Sequence, residues 1–370
     1  RLSASTVTMD DLPKLPPAGK VVSRTPVGAL GMEFISFANG VKMTLFANNA
    51  ETEKVRINVR FGNGMLGLSP TKPQPTWAAN YVLAANGIGK LGQRDLDDLT
   101  NGRRLGFDFG IDDNAFELAA VTRPADYKDQ LRLFATKLAY PGWAAEPVER
   151  AKAGLLAAYD ASATSPNAVL GRDLGWLLRD HDMRFRTPDK AEIAALTPAQ
   201  FRAFWEPILA SGPIEVQVFG DVQSDDAILA VAETFGALKP RKEMPITPAA
   251  HEIRFPAHNE TPLTLTHEGE KNQAAAVIAW PTGTGIIDAQ ESRQLDTLAP
   301  THQLLARAST GNAFWMNQME GATQDARYVE VMKSMPRDML GVTAEDLRAL
   351  AAKYLVESKS YSVEVLPKGE

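Results

Sequence analysis

Histidine is the residue of this chain best suited to hold a metal ion or to move a proton at neutral pH. The sequence contains five of them: His181, His251, His258, His267 and His302. None lies in His-x-x-Glu-His, His-Glu-x-x-His or another spacing that gives two zinc ligands. His251 and His267 each precede a glutamate on a predicted strand, where neighbouring side chains point to opposite faces. We therefore predict no metal ligand among the histidines, and surface or hydrogen-bonded roles instead.

Other arrangements that carry chemistry are missing or lie in the wrong context. The chain has no cysteine, which excludes thiolate metal sites, cysteine nucleophiles and disulfides. Gly87-Ile88-Gly89 follows a predicted helix, whereas the dinucleotide fingerprint needs a strand, a turn and a helix. No Gly-x-Ser-x-Gly elbow occurs, although a Ser/His/Asp arrangement without that elbow stays open. The sequence thus predicts no catalytic and no cofactor-binding residue.

Two further groups of side chains are better explained by packing than by chemistry. Three carboxylates of one predicted helix are interpreted as its solvated face: Asp95, Asp97 and Asp98. Three aromatic residues at helical positions are interpreted as core or interface anchors: Trp77, Tyr81 and Trp315.

The composition is that of an ordinary globular protein. The chain is 44% hydrophobic and 23% charged, with a net charge of −6. Phosphate binding needs concentrated Lys and Arg, so we expect no nucleic acid and no anionic membrane as a partner. The longest apolar run, at 274–280, is far shorter than the ~20 residues of a membrane span. The chain opens at Arg1 without a signal peptide and is interpreted as a processed or excised product; the lack of cysteine fits a bacterial periplasmic location.

The pattern of residues predicts one α+β unit in the first two thirds of the chain. Residues 1–30 are Pro-rich and are predicted to be a linker. A hairpin is predicted at 33–46, around Asn39-Gly40. Alternation predicts further strands at 55–61, 104–109 and 116–122. Helical spacing predicts helices at 76–86, 93–101, from Pro124, at 146–159 and at 170–179.

A capped helix followed by a strand occurs twice. Thr197 begins a helix that precedes a strand at 214–219, and Thr343 begins a helix that precedes a strand at 361–366. Two homologous domains, 31–240 and 248–370, explain this repeat. In the second domain, strands are predicted at 251–255, 263–267 and 274–280, and helices from 288 and at 302–308, 312–319 and 326–333. This copy is shorter than the first, so we expect a segment to be missing near 300.

Several motifs, in this order, resemble the pitrilysin/insulinase family of zinc metallopeptidases. The opening strand 34–45, with its Asn-Gly turn, is similar to the strand that begins each domain of the family, and 57–64 is similar to its Gly-rich strand. Gly220-Asp221-Val222 and the helix end at 233–238 match later motifs. Residues 279–283 are similar to the opening strand of the last domain. The likeness covers about 33–370.

The resemblance implies that the zinc site of the family is lost here. The family's inverted motif, His-x-x-Glu-His, falls on Trp77, Asn80 and Tyr81, and its distal glutamate falls near Ala158. An indole only donates and an amide is a poor base, so these side chains cannot assemble a zinc-bound water. The family's substrate-contacting Arg and Tyr would lie in the segment missing after Pro300.

This resemblance also implies a fold, a function and a partner. The expected fold class is α+β, with two tandem domains, each an antiparallel or mixed sheet with helices on one face, as half of a clam-shell. The expected function is that of an inactive C-terminal half, which encloses peptide substrate against a separate zinc-bearing half. No cofactor is expected in this segment, because the zinc belongs to the partner half. Two alternatives stay open: a stand-alone zinc-less subunit of a processing-type peptidase, and an unrelated peptide-binding module.

Overall fold

A computed structural model describes residues 7–283, 288–296 and 311–369. The larger of its two sheets has seven strands in the order β1-β2-β3-β7-β4-β6-β5. All neighbouring strands are antiparallel except β3 and β7, which are parallel. The strands are β1 Val21–Pro26, β2 Glu33–Phe37, β3 Lys42–Ala47, β4 Val55–Phe61, β5 Asp108–Ile111, β6 Phe116–Thr122 and β7 Ile214–Gly220.

Alternation along the central strands gives the large sheet two different faces. On β4, Val55, Ile57, Val59 and Phe61 join the main hydrophobic core. The residues between them point to the other face, which is polar at the centre of the sheet. That second face carries Thr44, Arg56, Asn58, Arg60, Glu117, Glu215 and Gln217.

Helices cover the apolar face of the large sheet. The core between them is filled by large buried side chains, among them Phe134 and Trp205. Burial of such aromatic side chains is the main favourable term for this layer. The helices of this part are α1 Ala79–Ala85, α2 Gln93–Thr100, α3 Tyr127–Ala139, α4 Glu146–Tyr159, α5 Pro166–Leu177, α6 Lys190–Ala195, α7 Pro198–Leu209 and α8 Ser224–Glu233.

The smaller sheet repeats the centre of the larger one. It has the order β8-β10-β9, with β8 Leu263–His267, β9 Ala275–Ala279 and β10 Tyr361–Pro367. β10 runs parallel to β8 and antiparallel to β9, as β7 does to β3 and β4. The helices of this part are α9 Pro248–His251, α10 Ala289–Asp296, α11 Asn312–Gln318, α12 Arg327–Leu340 and α13 Ala344–Tyr354. The predicted α+β class is confirmed.

Each part of the chain packs a helix on the sheet of the other part. Met316 of α11, Met319 directly after α11 and Met332 of α12 form one hydrophobic cluster with Phe219 and Phe46 on the second face of the large sheet. In return, Leu177 of α5 packs with Tyr361 and Val363 of β10. Two of the hydrophobic clusters therefore contain residues from both parts of the chain.

Several predicted bounds are corrected. Val21–Pro26 of the predicted linker forms β1 and pairs with β2. The strand predicted at 104–109 begins only at Asp108, and the one predicted at 251–255 is absent, since the short helix α9 ends at His251. The helix predicted at 302–308 and the segment expected to be missing near 300 lie outside the described residues. The domain limits 31–240 and 248–370 stay predictions. Among the described residues, no helix is long and apolar enough to cross a bilayer.

Candidate functional site

The window on which the resemblance places the family's zinc motif lies at the start of the first helix. Trp77 belongs to the short 3-10 turn Pro75–Ala78, and Asn80 and Tyr81 belong to α1. Helix α1 packs against α4, which carries Ala158 near its end. The fold therefore keeps the pair of neighbouring helices that the resemblance implies.

The side chains of this window do not converge on one point. Trp77 is half-buried against the core and lines a cleft of about 320 Å³. Asn80 and Tyr81 line a different cleft, of about 380 Å³. Tyr81 is 46% exposed, with the Arg150 guanidinium 6.0 Å from its ring centre.

These residues do not fit a zinc ion. Zinc in proteins takes nitrogen, sulfur or carboxylate ligands that converge within about 2.0–2.3 Å of the ion. The indole nitrogen of Trp77 only donates, and the methyl side chain of Ala158 has no ligand atom. No zinc-dependent step can be derived from this chain's own residues at this place.

Two of the four described histidines contact backbone groups in loops and turns. His258 Nδ1 lies 2.8 Å from the Ser360 carbonyl oxygen. His267 is buried, with Nε2 2.9 Å from the Gln273 oxygen and Nδ1 accepting from the Gly269 N–H at 3.1 Å. The His181 ring packs edge-on against Trp176. His251 is exposed at the end of α9, and His302 lies outside the described residues.

The remaining residues singled out in the sequence also have structural positions. Asp95 accepts from the Gly92 N–H at 2.9 Å and caps α2, while Asp97 and Asp98 are exposed on that helix. Gly87 accepts from the Gly142 N–H at 2.8 Å, in a turn that connects helices. Trp315 of α11 packs at the rim of the Met316–Met332 layer.

A charged cluster that the sequence did not reveal lies on the second face of the large sheet. Arg60 of β4 is 3% exposed. Its guanidinium donates to Glu117 on β6 and to Glu320 Oε2, at 2.9 Å, in the turn after α11. It also contacts Asp112 Oδ2 at 3.4 Å and donates to Asn114. The cluster therefore joins β4, β6 and the segment between α11 and α12.

Burial raises the pKa of three glutamates around Arg60. It raises the pKa of Glu320 to about 7, an effect that Arg60 opposes and the neighbouring carboxylates reinforce. Burial also raises the pKa of Glu117 and of Glu215, which is fully buried on β7. Glu215 accepts from the Gly321 N–H at 2.9 Å. Four carboxylates thus surround one guanidinium.

The same cluster contains the one group of three metal-type ligands in the described part of the chain. Oxygens of Asp112, Glu117 and Glu320 lie within 4.8 Å of one another. The Arg60 guanidinium already contacts all three carboxylates, so it takes the position that a metal ion bound by all three would need. We therefore interpret this group as an ion-pair network and not as a metal centre.

Next to this cluster, a cleft of about 490 Å³ opens between the sheet and α11. Its floor is formed by Asn58, Glu117 and Ala119, and its wall by Met316 and Glu320. The mouth is formed by residues 104–108. In the sequence, the signal for this site was the run Arg56, Asn58, Arg60 on one strand face, but alternation alone indicated a solvated face.

Comparison with known proteins found no matching family model and no matching curated protein. Solved structures do match. A peptidase M16 inactive domain from Pseudomonas fluorescens aligns with a TM-score of 0.70 at 15% identity, over 92% of this chain and 98% of that chain. The chain has the fold of an M16 peptidase half. This confirms the pitrilysin-type resemblance at the level of the fold.

Two longer proteases match over the whole of this chain. The periplasmic protease PqqL from Escherichia coli aligns with a TM-score of 0.70 at 14% identity. The ferredoxin protease FusC, solved as a mutant in complex with Arabidopsis ferredoxin, aligns with a TM-score of 0.67 at 14% identity. In both cases 100% of this chain covers 48% of the other, so it spans about half the length of these proteases.

Proposed function

We propose that this chain is a non-catalytic half of a zinc metallopeptidase, which encloses a peptide substrate against a separate zinc-bearing half. The observation that carries the proposal is the fold of an M16 half. It is supported by Trp77, Asn80 and Tyr81, which stand at the positions where the sequence resemblance places the family's zinc motif. Closure of such a half over a bound peptide would exclude water and orient the chain for the partner's zinc chemistry.

The second face of the large sheet has features that suit the binding of a peptide. It offers a cleft lined by side-chain acceptors and cations next to apolar residues, and a few well-placed polar groups in a partly apolar cleft are what ligand sites share. We place the protein in the periplasm, as PqqL is a periplasmic protease of the same fold.

The proposal is tested by metal analysis and a peptidase assay on this chain, on a candidate zinc-bearing half, and on their mixture. We expect no stoichiometric zinc and no cleavage for this chain alone. The mixture should cleave an unfolded peptide at least tenfold faster than the zinc half alone. Stoichiometric zinc or cleavage by this chain alone would overturn the proposal, as would a mixture no faster than the zinc half.

A stand-alone subunit is the second candidate. A protease from Helicobacter pylori aligns over 99% of its own chain and 91% of this one, with a TM-score of 0.67 at 12% identity, so proteins of this length occur as solved chains with this fold. The length of the natural reading frame separates the two cases: one long frame favours the two-half enzyme, and two short frames favour the subunit.

A further inference from the structure

The cleft between the large sheet and α11 holds an unpaired acceptor. Asn58 is 5% exposed and lines the cleft. Its Nδ2 donates to Glu320 Oε1 at 3.4 Å, which leaves Oδ1 as the free end of the amide. This buried oxygen has no hydrogen-bond partner among the residues that the structure describes. A buried acceptor without a donor costs roughly 1–3 kcal/mol, so a donor supplied by a ligand would be stabilising.

The side chains around this oxygen are more often acidic than basic. Glu117 and Glu320 line the cleft, and they share the single guanidinium of Arg60 with Asp112, while Glu215 lies behind them. At the mouth, Arg56 is held by a two-point contact with Glu51, at 2.9 and 2.8 Å. The other charged groups at the mouth are exposed and of opposite sign: Arg104 and Asp108.

We propose that this cleft binds the protonated amine of a lysine side chain in a peptide substrate. A lysine ammonium has three donors on a flexible stem, and Asn58, Glu117 and Glu320 all line the cleft that it would enter. Met316, Ala119 and Phe107 line the cleft and would contact the alkyl stem. The inference rests on the proposed function, since it names a side chain that the enclosed peptide would carry.

Binding of a cation here has a proton signature. A positive charge beside Glu320 favours its ionised form, whose pKa in the free protein is about 7. Binding at pH 7 should therefore release part of a proton. The heat of binding would then change with the ionisation enthalpy of the buffer, which an apolar contact would not cause.

The test is titration calorimetry of the full chain with two otherwise uncharged peptides that differ only in one lysine or norleucine. We expect the lysine peptide to bind at least tenfold more tightly, with proton release. In Glu320→Gln this preference should fall at least fivefold, while Glu260→Gln, an exposed control, should keep it. Far-UV circular dichroism and the unfolding midpoint show whether each variant is folded.

Spermidine separates a peptide site from a site for free polyamines. If spermidine binds and the lysine peptide does not, the assignment to a peptide is wrong. Equal binding of the lysine and norleucine peptides, or an unchanged preference in folded Glu320→Gln, overturns the inference.

Cleavage by the mixture with a zinc half separates this inference from the proposed function. Equal rates for the two peptides contradict the lysine site but leave the enclosing role intact. A lysine preference in binding without any gain in cleavage contradicts the enclosing role and leaves the site.

Discussion

Arg60 is a buried cation at the centre of a cluster of acidic side chains. Taking a guanidinium out of water costs several kcal/mol unless it is paired and hydrogen-bonded. Here it reaches Glu117, Glu320, Asp112 and Asn114. Charge-assisted bonds of this kind are about twice as strong as neutral ones. Burial, reinforced by the neighbouring carboxylates, then raises the pKa of Glu320.

The first prediction concerns the pH dependence of stability that Glu320 causes. Its pKa is about 7 in the folded protein and near 4.5 in the unfolded chain. Between these values the folded state binds more protons, so its contribution is complete below pH 4.5 and is lost as the pH rises through 7. Glu320→Gln should therefore flatten the fall in unfolding free energy between pH 4.5 and 7.5 by roughly 1–3 kcal/mol. Urea unfolding at several pH values measures this.

Lys137 acts in a separate pH window and does not obscure this result. Burial lowers its pKa to about 7, from 10.5, so its contribution rises between pH 7 and 10.5. Its Nζ donates to the Ala84 and Asn86 carbonyl oxygens at 3.2 and 2.5 Å. A control variant, Glu260→Gln, should leave the slope between pH 4.5 and 7.5 as in the parent protein. If Glu320→Gln has that parental slope too, the account of the cluster is wrong.

At the scale of the element, capping residues predicted helix starts well. Thr197 and Thr343 were identified in the sequence as caps, and both form capping boxes, with Gln200 and Asp346. The local pattern suffices because all partners lie within three positions of each other. The strands β4, β6 and β8 were predicted with the bounds that the structure shows, since alternation is also a local property.

The second prediction is that loss of the cap on α7 destabilises the first part of the chain. The Thr197 hydroxyl accepts from the Gln200 N–H at 3.2 Å. Thr197→Ala should lower the unfolding free energy by about 1 kcal/mol, because that N–H loses its partner at the helix start. Thr197→Ser keeps the hydroxyl and should cost less than half as much. Equal losses in both variants would show that the methyl group, and not the cap, matters. Chemical denaturation of the three proteins gives the values.

The edge of the large sheet could not be predicted because distant side chains decide it. Arg104-Leu105-Gly106-Phe107 alternates like a strand, yet only Asp108–Ile111 pairs with β6. The Gln130 amide occupies both the N–H and the carbonyl of Gly106, at 2.9 and 2.8 Å. The Thr122 hydroxyl donates a hydrogen bond to the Arg104 carbonyl oxygen at 2.6 Å. Side-chain hydrogen bonds thus replace the backbone hydrogen bonds of a strand pair here. The alternation of residues in the sequence does not predict this.

At the scale of the whole molecule, the charged cluster could not be predicted from the sequence, because its members are far apart along the chain. Arg60 and Glu117 are 57 positions apart, and Arg60 and Glu320 are 260 apart. Nothing in the spacing predicts that the turn after α11 lies on the second face of the large sheet. The residues of that face are polar, yet Arg60 and Gln217 are buried. The candidate site exists only after the two parts have packed together.

The exchange of helices between the two parts should couple their unfolding. Met319 is fully buried between the sheet and α12, beside Phe219. A buried residue of this kind has its contacts on both parts, so truncating it weakens the folded state of each. Because methionine fills irregular gaps, the layer is adaptable but still loses its apolar area when the side chain is shortened.

The third prediction follows from this shared layer. Met319→Ala should lower the unfolding free energy by roughly 2–5 kcal/mol, the usual cost of emptying a buried methionine site. Leu355→Ala removes a side chain that is 51% exposed and should change it by less than about 0.5 kcal/mol. In the parent protein, fluorescence and far-UV circular dichroism should give one coincident urea transition, since four of the six tryptophans, Trp205 among them, lie in the first part and the backbone signal reports on both. The contradicting result is that Met319→Ala separates these two curves and leaves the fluorescence midpoint unchanged. The large sheet would then be stable without α11 and α12, and this layer would not couple the two parts.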